Sequence, residues 1–393
     1  MSTHRTRRSR TAALIAVLGV LILAAAVSLG ATRLLAPSTQ EPSSTSDAGA
    51  ASDGGAASDG APPTEAGADP TRSEEPADGD SPVPNTVERT DGCPSATATV
   101  HDAGTLRTAL ENARPGDVIA LAPGTYDGEF VAQADGSEDA PIMLCGNEDA
   151  VLDGGESDGG YTLHLDGVSH WHLLGFRVTG GQKGVMLDDS HETVVEGLTV
   201  SDIGDEGIHL RTHSSHNTVV GNRVSHTGLR KPKFGEGIYV GSAESNWDDL
   251  TGGEPDMSDG NLIEDNQIDR VTAEAVDIKE GTTGGILRNN SFDGSEMTDD
   301  DFADSWVDVK GNDWLIEGNS GTASSADGYQ THEILDGWGT GNVFRHNSAD
   351  MEGGGHGFSL TPPLENVVDC SNDVTNAKEG LANIACTKHT QSP

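Results

Sequence analysis

Aromatic residues are scarce in this 393-residue chain, at 4%, and positive charge is scarcer still relative to negative: 23 Lys and Arg stand against 64 Asp and Glu, a formal charge of −41. A surface that acidic repels a phosphate backbone, which excludes a nucleic-acid binder. Hydrophobic residues total 34% and long apolar runs are missing except for one near the N-terminus, which excludes a polytopic membrane protein. Four cysteines are too few for a disulfide-dense scaffold, and their spacing fits no zinc motif. Glycine is the abundant residue, with 51 copies. It penalises helix interiors and argues against an ordinary helical globule.

The one apolar run fills residues 11–32, 22 positions without a charge, behind Arg5, Arg7, Arg8 and Arg10. About 20 such residues span a bilayer, and a basic flank stays cytoplasmic. Residues 1–36 are therefore expected to be a transmembrane signal anchor or a cleaved signal peptide, with the rest exported to the cell surface or the medium. Residues 37–91 are Ser, Ala, Gly, Asp, Pro and Glu with almost nothing apolar to bury, the composition of a disordered acidic linker. Residues 1–90 hold 11 acids and 7 bases, leaving 53 acids and 16 bases, a charge of −37, for the remainder. Such a surface is soluble, and the chain is expected to be a monomer. Exported cysteines are oxidised. Of the three possible pairings, proximity favours Cys93–Cys145 and Cys370–Cys386.

From about residue 160 a short pattern recurs, apolar-x-apolar followed by a polar residue: GVMLDD (184–189), GIHLRT (207–212), GIYVGS (237–242), AVDIKE (275–280), WVDVKG (306–311), GYQTHE (328–333) and GFSLTP (357–362). Between the copies run segments with paired asparagines, such as NTVVGNRV (217–224), NLIEDNQI (261–268) and NVFRHNSA (342–349). Period-two alternation in pieces of three to five residues, broken by Gly and Asn, predicts short strands and tight turns. Copies start 22 to 38 residues apart, the spacing of a β-solenoid whose coils stack about 4.8 Å apart. Asn222, Asn266, Asn290, Asn319 and Asn347 are expected to hydrogen-bond their own turns inside the coil. Ahead of the repeats, AGTLRTALENA (103–113) has helical spacing and predicts an N-terminal capping helix over the open end of the bore.

The runs PGDVIALAPGTY (115–126) and DAPIMLCGNEDAVLDGG (139–155) resemble the opening of right-handed parallel β-helix proteins of the pectate-lyase superfamily. The resemblance spans about residues 96–375 and implies an all-β right-handed parallel β-helix over 92–393. The superfamily hosts lyases, hydrolases, epimerases and binding proteins on this one fold. GHG (355–357) is similar to a polygalacturonase motif, but that motif's companion segments are missing.

With the copies stacked in register, the inward residues are almost entirely apolar. One outward column reads Arg211, Gly241, Lys279, Lys310, His332, and its neighbour His209, Tyr239, Asp277, Asp308, Gln330. Four coil steps make this stripe about 19 Å long. Insertions at 242–260 and 295–304 leave from the same face and would wall a groove. They add Trp247 as a sugar platform, and Asp248, Asp249, Asp299, Asp300, Asp301 and Asp304 as charges.

That constellation fits β-elimination on an acidic, uronate-containing glycan. The proton on C5 leaves only if the enolate-like charge is neutralised and a base is within reach. Lys279 is the expected base, its pKa lowered by neighbouring cations. Lys310 and Arg211 are expected to neutralise the substrate carboxylate, and His209 and His332 to serve as acid, base or sugar contacts. Tyr239, Gln330 and Trp247 are the expected substrate-binding residues. EAVDIKEG (274–281) resembles the lysine-bearing strand of calcium-dependent pectate lyases and of chondroitinase B-like lyases. Lys310 stands where the latter carry an arginine. Calcium is a possible cofactor, with Asp277, Asp308, Asp248 and Asp249 as candidate ligands. Two other readings stay open at this point: a non-catalytic glycan-binding cell-surface β-helix, and a uronate epimerase. A solvated salt-bridge lattice on a sheet face would also account for the alternating Asp and Lys.

Overall fold

The computed structural model describes residues 92–297, 303–324 and 326–388. The expected signal anchor and linker at 1–36 and 37–91, and Asp299, Asp300 and Asp301, lie outside the described residues. Among the described residues no helix is long and apolar enough to cross a membrane.

Strands of two to six residues wind into a right-handed solenoid of about ten coils, each coil contributing in turn to a first, second and third parallel sheet. The three sheets hold 11, 10 and 10 strands. The predicted register holds throughout the third sheet: Val185, Ile208, Ile238, Val276, Val307, Tyr329 and Phe358 pair in sequence from coil to coil. All of them are buried in one continuous core. A one-residue slip would turn that whole set to solvent, so the apolar alternation alone fixes the stacking.

The expected helix forms over Ala103–Glu111 and buries Leu106 and Leu110 against the first strands of the solenoid. Asp102 caps it, accepting from Thr105 N at 2.8 Å. Both favoured disulfides, Cys93–Cys145 and Cys370–Cys386, are present.

The asparagines form ladders chiefly between coils, with bonds inside their own turns at Asn290, which donates to Arg288 O at 3.0 Å, and at Asn372, which donates to Asp369 O at 2.8 Å. Asn266 Oδ1 accepts from Asn222 N at 2.9 Å and Nδ2 at 3.0 Å, while its own Nδ2 donates to Val219 O and to Asn290 Oδ1, each at 2.9 Å. Asn290, Asn319, Asn347 and Asn372 continue the series. A side-chain amide carries two acceptor lone pairs and two donors, so a stack of them repeats without an unpaired atom.

Candidate active site

The two predicted outward columns stand on the third sheet. Met186, His209, Tyr239, Asp277, Asp308, Gln330 and Ser359 pair in register, coil on coil. Lys279 and Lys310 each follow the end of their strand, one coil apart. The stripe is neither bare cation nor solvated lattice. Asp277 Oδ2 faces Lys279 Nζ at 2.6 Å and its Oδ1 faces Lys310 Nζ at 2.7 Å. Lys310 also meets Asp308 at 2.6 Å, and Asp308 holds His332 Nδ1 at 2.9 Å. Arg211 pairs with Asp188 at 2.6 Å. Asp277, Asp308 and Lys310 are buried, Asp277 to 1% exposure, so these pairs are far less screened than surface ones.

That burial reverses one expectation. Removal from water by itself would lower Lys279, but Asp277, with Asp308 and Glu274 behind it, raises it well above the ordinary lysine range. Lys310 is raised in the same way against the same desolvation. The lowering expected from neighbouring cations is outweighed because an aspartate stands between the two ammonium groups.

A third outward column, two residues before each inward pair, escaped the sequence reading. It runs Lys183, Glu206, Glu236 and Glu274, visible as Glu-Gly or Glu-Ala immediately ahead of three successive apolar-x-apolar copies. Lys183 Nζ meets Glu206 at 2.7 Å and His209 Nδ1 at 3.2 Å. His209 Nε2 lies 2.9 Å from Gly241 O, which can only accept, so Nε2 carries the proton and Nδ1 accepts from Lys183. Burial, then Lys183 and Arg211, hold His209 far below its ordinary pKa and neutral. With both nitrogens engaged it is not free to act as an acid or base. Its ring instead braces Tyr239 edge-on, with centroids 4.4 Å apart.

Glu236, Glu274 and Asp277 bring one carboxylate oxygen each within 4.8 Å of the others. Glu236 Oε2 is buried with no hydrogen-bond partner. Burial, then Glu206 and Glu274, push Glu236 well up, and burial, then Asp277, push Glu274 up to about 8. The acid with a raised folded pKa is costless below about pH 4.5 and progressively destabilising up to about 8, where the loss is complete. Glu274→Gln should therefore melt with the wild type at pH 4.5 in chelator, and several degrees above it at pH 8. Equal melting temperatures at both pH values would show that the carboxyls do not repel.

Of the other candidate ligands, Asp308 pairs with Lys310 and His332, and Asp248 and Asp249 sit on the 242–260 insertion away from the groove lining. Gly241, at φ +82°, turns the chain into that insertion, and a Cβ there would lie 2.7 Å from Thr282. Ser242, Ala243, Ser245, Asn246 and Leu250 then form one wall. Trp247 is 6% exposed and donates Nε1 to Ser242 O at 2.9 Å, so it buttresses the wall rather than offering its face to a sugar. Gln330 is buried and donates to Asp327 at 3.1 Å, outside the lining. The opposite wall comes from Asp304 and from Arg230, Lys233 and Phe234, on a loop ahead of the Ile238–Val240 strand that the sequence reading passed over. Between the walls lies a groove of about 710 Å³, into which Tyr239, Lys279, Lys310, Arg211 and His332 open.

Residues 87–238 match the family model described as "Pel9A-like, right handed beta helix region". No curated protein sequence matches the chain. Among solved structures, alginate lyase from Paenibacillus sp. str. FPU-7 is 36% identical with a TM-score of 0.69, over 73% of this chain and 99% of that one. Pectate lyase Pel9A shares the fold at 17% identity and a TM-score of 0.52, over 73% of this chain and 78% of that one. An apolar bore in unbroken register, a polar groove on its third sheet and these likenesses together place the chain in the pectate-lyase-like family of right-handed parallel β-helix proteins.

Proposed function

We propose that this protein is an exported alginate lyase that cleaves a uronate polymer by β-elimination. The observation that carries the reading is the adjacency of Lys279 and Tyr239 on neighbouring coils. Lys279 Nζ lies 5.1 Å from the centre of the Tyr239 ring, and both open into the groove. The substrate class is carried over from the 36% identical alginate lyase. The two disulfides support export.

Asp277 holds Lys279 protonated in the empty groove. In this reading the ammonium first gives its proton to solvent as the substrate enters, and the neutral amine then takes the proton from C5. The C–H electrons become the C4–C5 double bond, and the C4–O bond to the leaving sugar breaks. Tyr239 gives its phenolic proton to that oxygen. Burial, then Asp277 and Glu236, hold the Tyr239 phenol well above its ordinary pKa. It therefore keeps its proton until the leaving oxygen develops charge. Its hydroxyl has no hydrogen-bond partner among the described residues, leaving it available to the substrate. His209 braces the ring and so fixes the direction of the donated proton.

The charge on the substrate carboxylate needs a counter-charge, and Arg211 and Lys310 already face aspartates. Glu236, Glu274 and Asp277 have the hard-oxygen chemistry to hold calcium, which when bound would supply positive charge to the enolate-like carboxylate. Millimolar calcium should raise the melting temperature of the wild type by a few degrees and leave Glu274→Gln unmoved. A wild type indifferent to calcium would remove the metal from the proposal.

The test of the function is release of unsaturated uronate, followed by ultraviolet absorbance, from alginate, pectate and glycosaminoglycans. Alginate cleavage is expected. Exchange of the C5 proton with solvent while the polymer stays intact would identify an epimerase. Retention on alginate with neither reaction would identify a binding protein.

A further inference from the structure

Six lysine and arginine side chains line the groove, and five of them face a carboxylate: Lys183 with Glu206, Arg211 with Asp188, Arg230 with Asp205, Lys279 with Asp277, and Lys310 with Asp277 and Asp308. Lys233 is the exception; among the described residues it meets no acid. Its Nζ instead sits 4.6 Å from the centre of the Phe234 ring. A cation over an aromatic face is held by the ring's quadrupole, which orients the charge without cancelling it as a carboxylate would.

The loop that presents this pair is tied down at its base. Leu229 N and Arg230 N donate to Ile203 O and Gly204 O at 3.1 and 2.7 Å. Thr272 Oγ1 donates to Pro232 O at 2.8 Å, and Arg230 pairs with Asp205. Pro232 restricts the backbone next to Lys233. The loop precedes the Ile238–Val240 strand, which carries Tyr239, whereas the 242–260 insertion follows it. Lys233 therefore stands on the wall opposite the insertion, beside the reacting coil.

We infer that Lys233, oriented by Phe234, is a uronate-binding subsite that captures the carboxylate of a sugar neighbouring the one cleaved. The inference rests on the lyase reading for the position of the cleaved sugar. The other five cations are already held by carboxylates, so the groove offers an incoming polyanion little positive charge that is not already cancelled. An un-neutralised cation at the rim is what draws the chain in and sets its register. Its contribution is to binding, because the carboxylate it holds does not change charge during elimination.

Kinetics on alginate and on size-defined uronate oligomers test this. Lys233→Gln should raise KM about 10-fold with kcat unchanged, and Lys233→Arg should restore most of the loss. Phe234→Leu should give a smaller rise in KM, with the same kcat. The effect should disappear on oligomers too short to reach the loop, and KM of the Gln variant should depend less steeply on salt. A Lys233→Gln enzyme with wild-type KM, or one whose kcat falls instead, would overturn the subsite.

Retention in alginate-containing gels separates this failure from failure of the lyase reading. Should the wild type cleave nothing, gel retention lost in Lys233→Gln would keep the subsite and discard the lyase. Retention unchanged by the substitution would discard the subsite.

Discussion

Replacing Lys279 by alanine is expected to lower kcat on alginate by about a hundred- to ten-thousandfold while the domain stays folded. A positioned proton-transfer group contributes about 10²–10⁴-fold, and the amine one coil on, that of Lys310, cannot take over because it is clamped between two aspartates. Tyr239→Phe, which removes only the phenolic oxygen, should cost about a hundredfold or more. Stability is the control. Losing Lys279 still leaves Asp277 its bond to Lys310, so the melting temperature should move by a few degrees at most. Lys310→Ala behaves differently, since it strips Asp308 of its lysine and Asp277 of a buried partner. Breaking a buried ion pair by removing one side costs about 3–5 kcal/mol, so any loss of activity in that variant reports on the fold. A Lys279→Ala protein retaining a tenth or more of the wild-type kcat would remove Lys279 from the chemistry.

Asn266→Ala should be the most damaging single substitution in the scaffold among those away from the groove. The residue sits in mid-ladder and joins two coils through four hydrogen bonds. Alanine leaves Asn222 N, Val219 O and Asn290 Oδ1 buried with fewer partners, and each unsatisfied group costs about 1–3 kcal/mol. Asn290 Oδ1 keeps its bond from Asn266 N, so the sum lies towards the low end of three such terms, about 3–5 kcal/mol, or roughly 6–20 °C in melting temperature by calorimetry. Asn372, at the end of its ladder, should cost clearly less on the same change. Equal, small losses at both positions would mean that water replaces the side-chain bonds and that the apolar register alone holds the coils together.

The fold was legible because its determinants are local and periodic. Val185 through Phe358 alternate with polar neighbours, and that alternation has a single register that buries it. The ladder asparagines were legible as a repeat, though not as bonds between coils, since an amide five residues along serves its own turn and the next equally well on paper. The site was half legible. Tyr239, Lys279, Lys310, Arg211 and His332 do meet in one groove, because stacking alone brings them together.

Other features depended on what lies outside the strands. The Glu206–Glu236–Glu274 column precedes the first apolar residue of each copy, where a pattern search begins too late. Trp247 turns inward because its indole N–H finds Ser242 O within the insertion itself, a matter of loop closure with no periodic trace. The direction of the Lys279 shift depended on an aspartate standing 2.6 Å away. A sequence gives the neighbours in a column but not the distances between columns.

Mass spectrometry of the wild-type digest of alginate tests the central claim most directly. Elimination predicts oligosaccharides each lighter by one water than the corresponding hydrolysis products, with the C4–C5 double bond at the new non-reducing end and none formed by Lys279→Ala. Products carrying the extra water, or a polymer left at full length by the active fold, would contradict it.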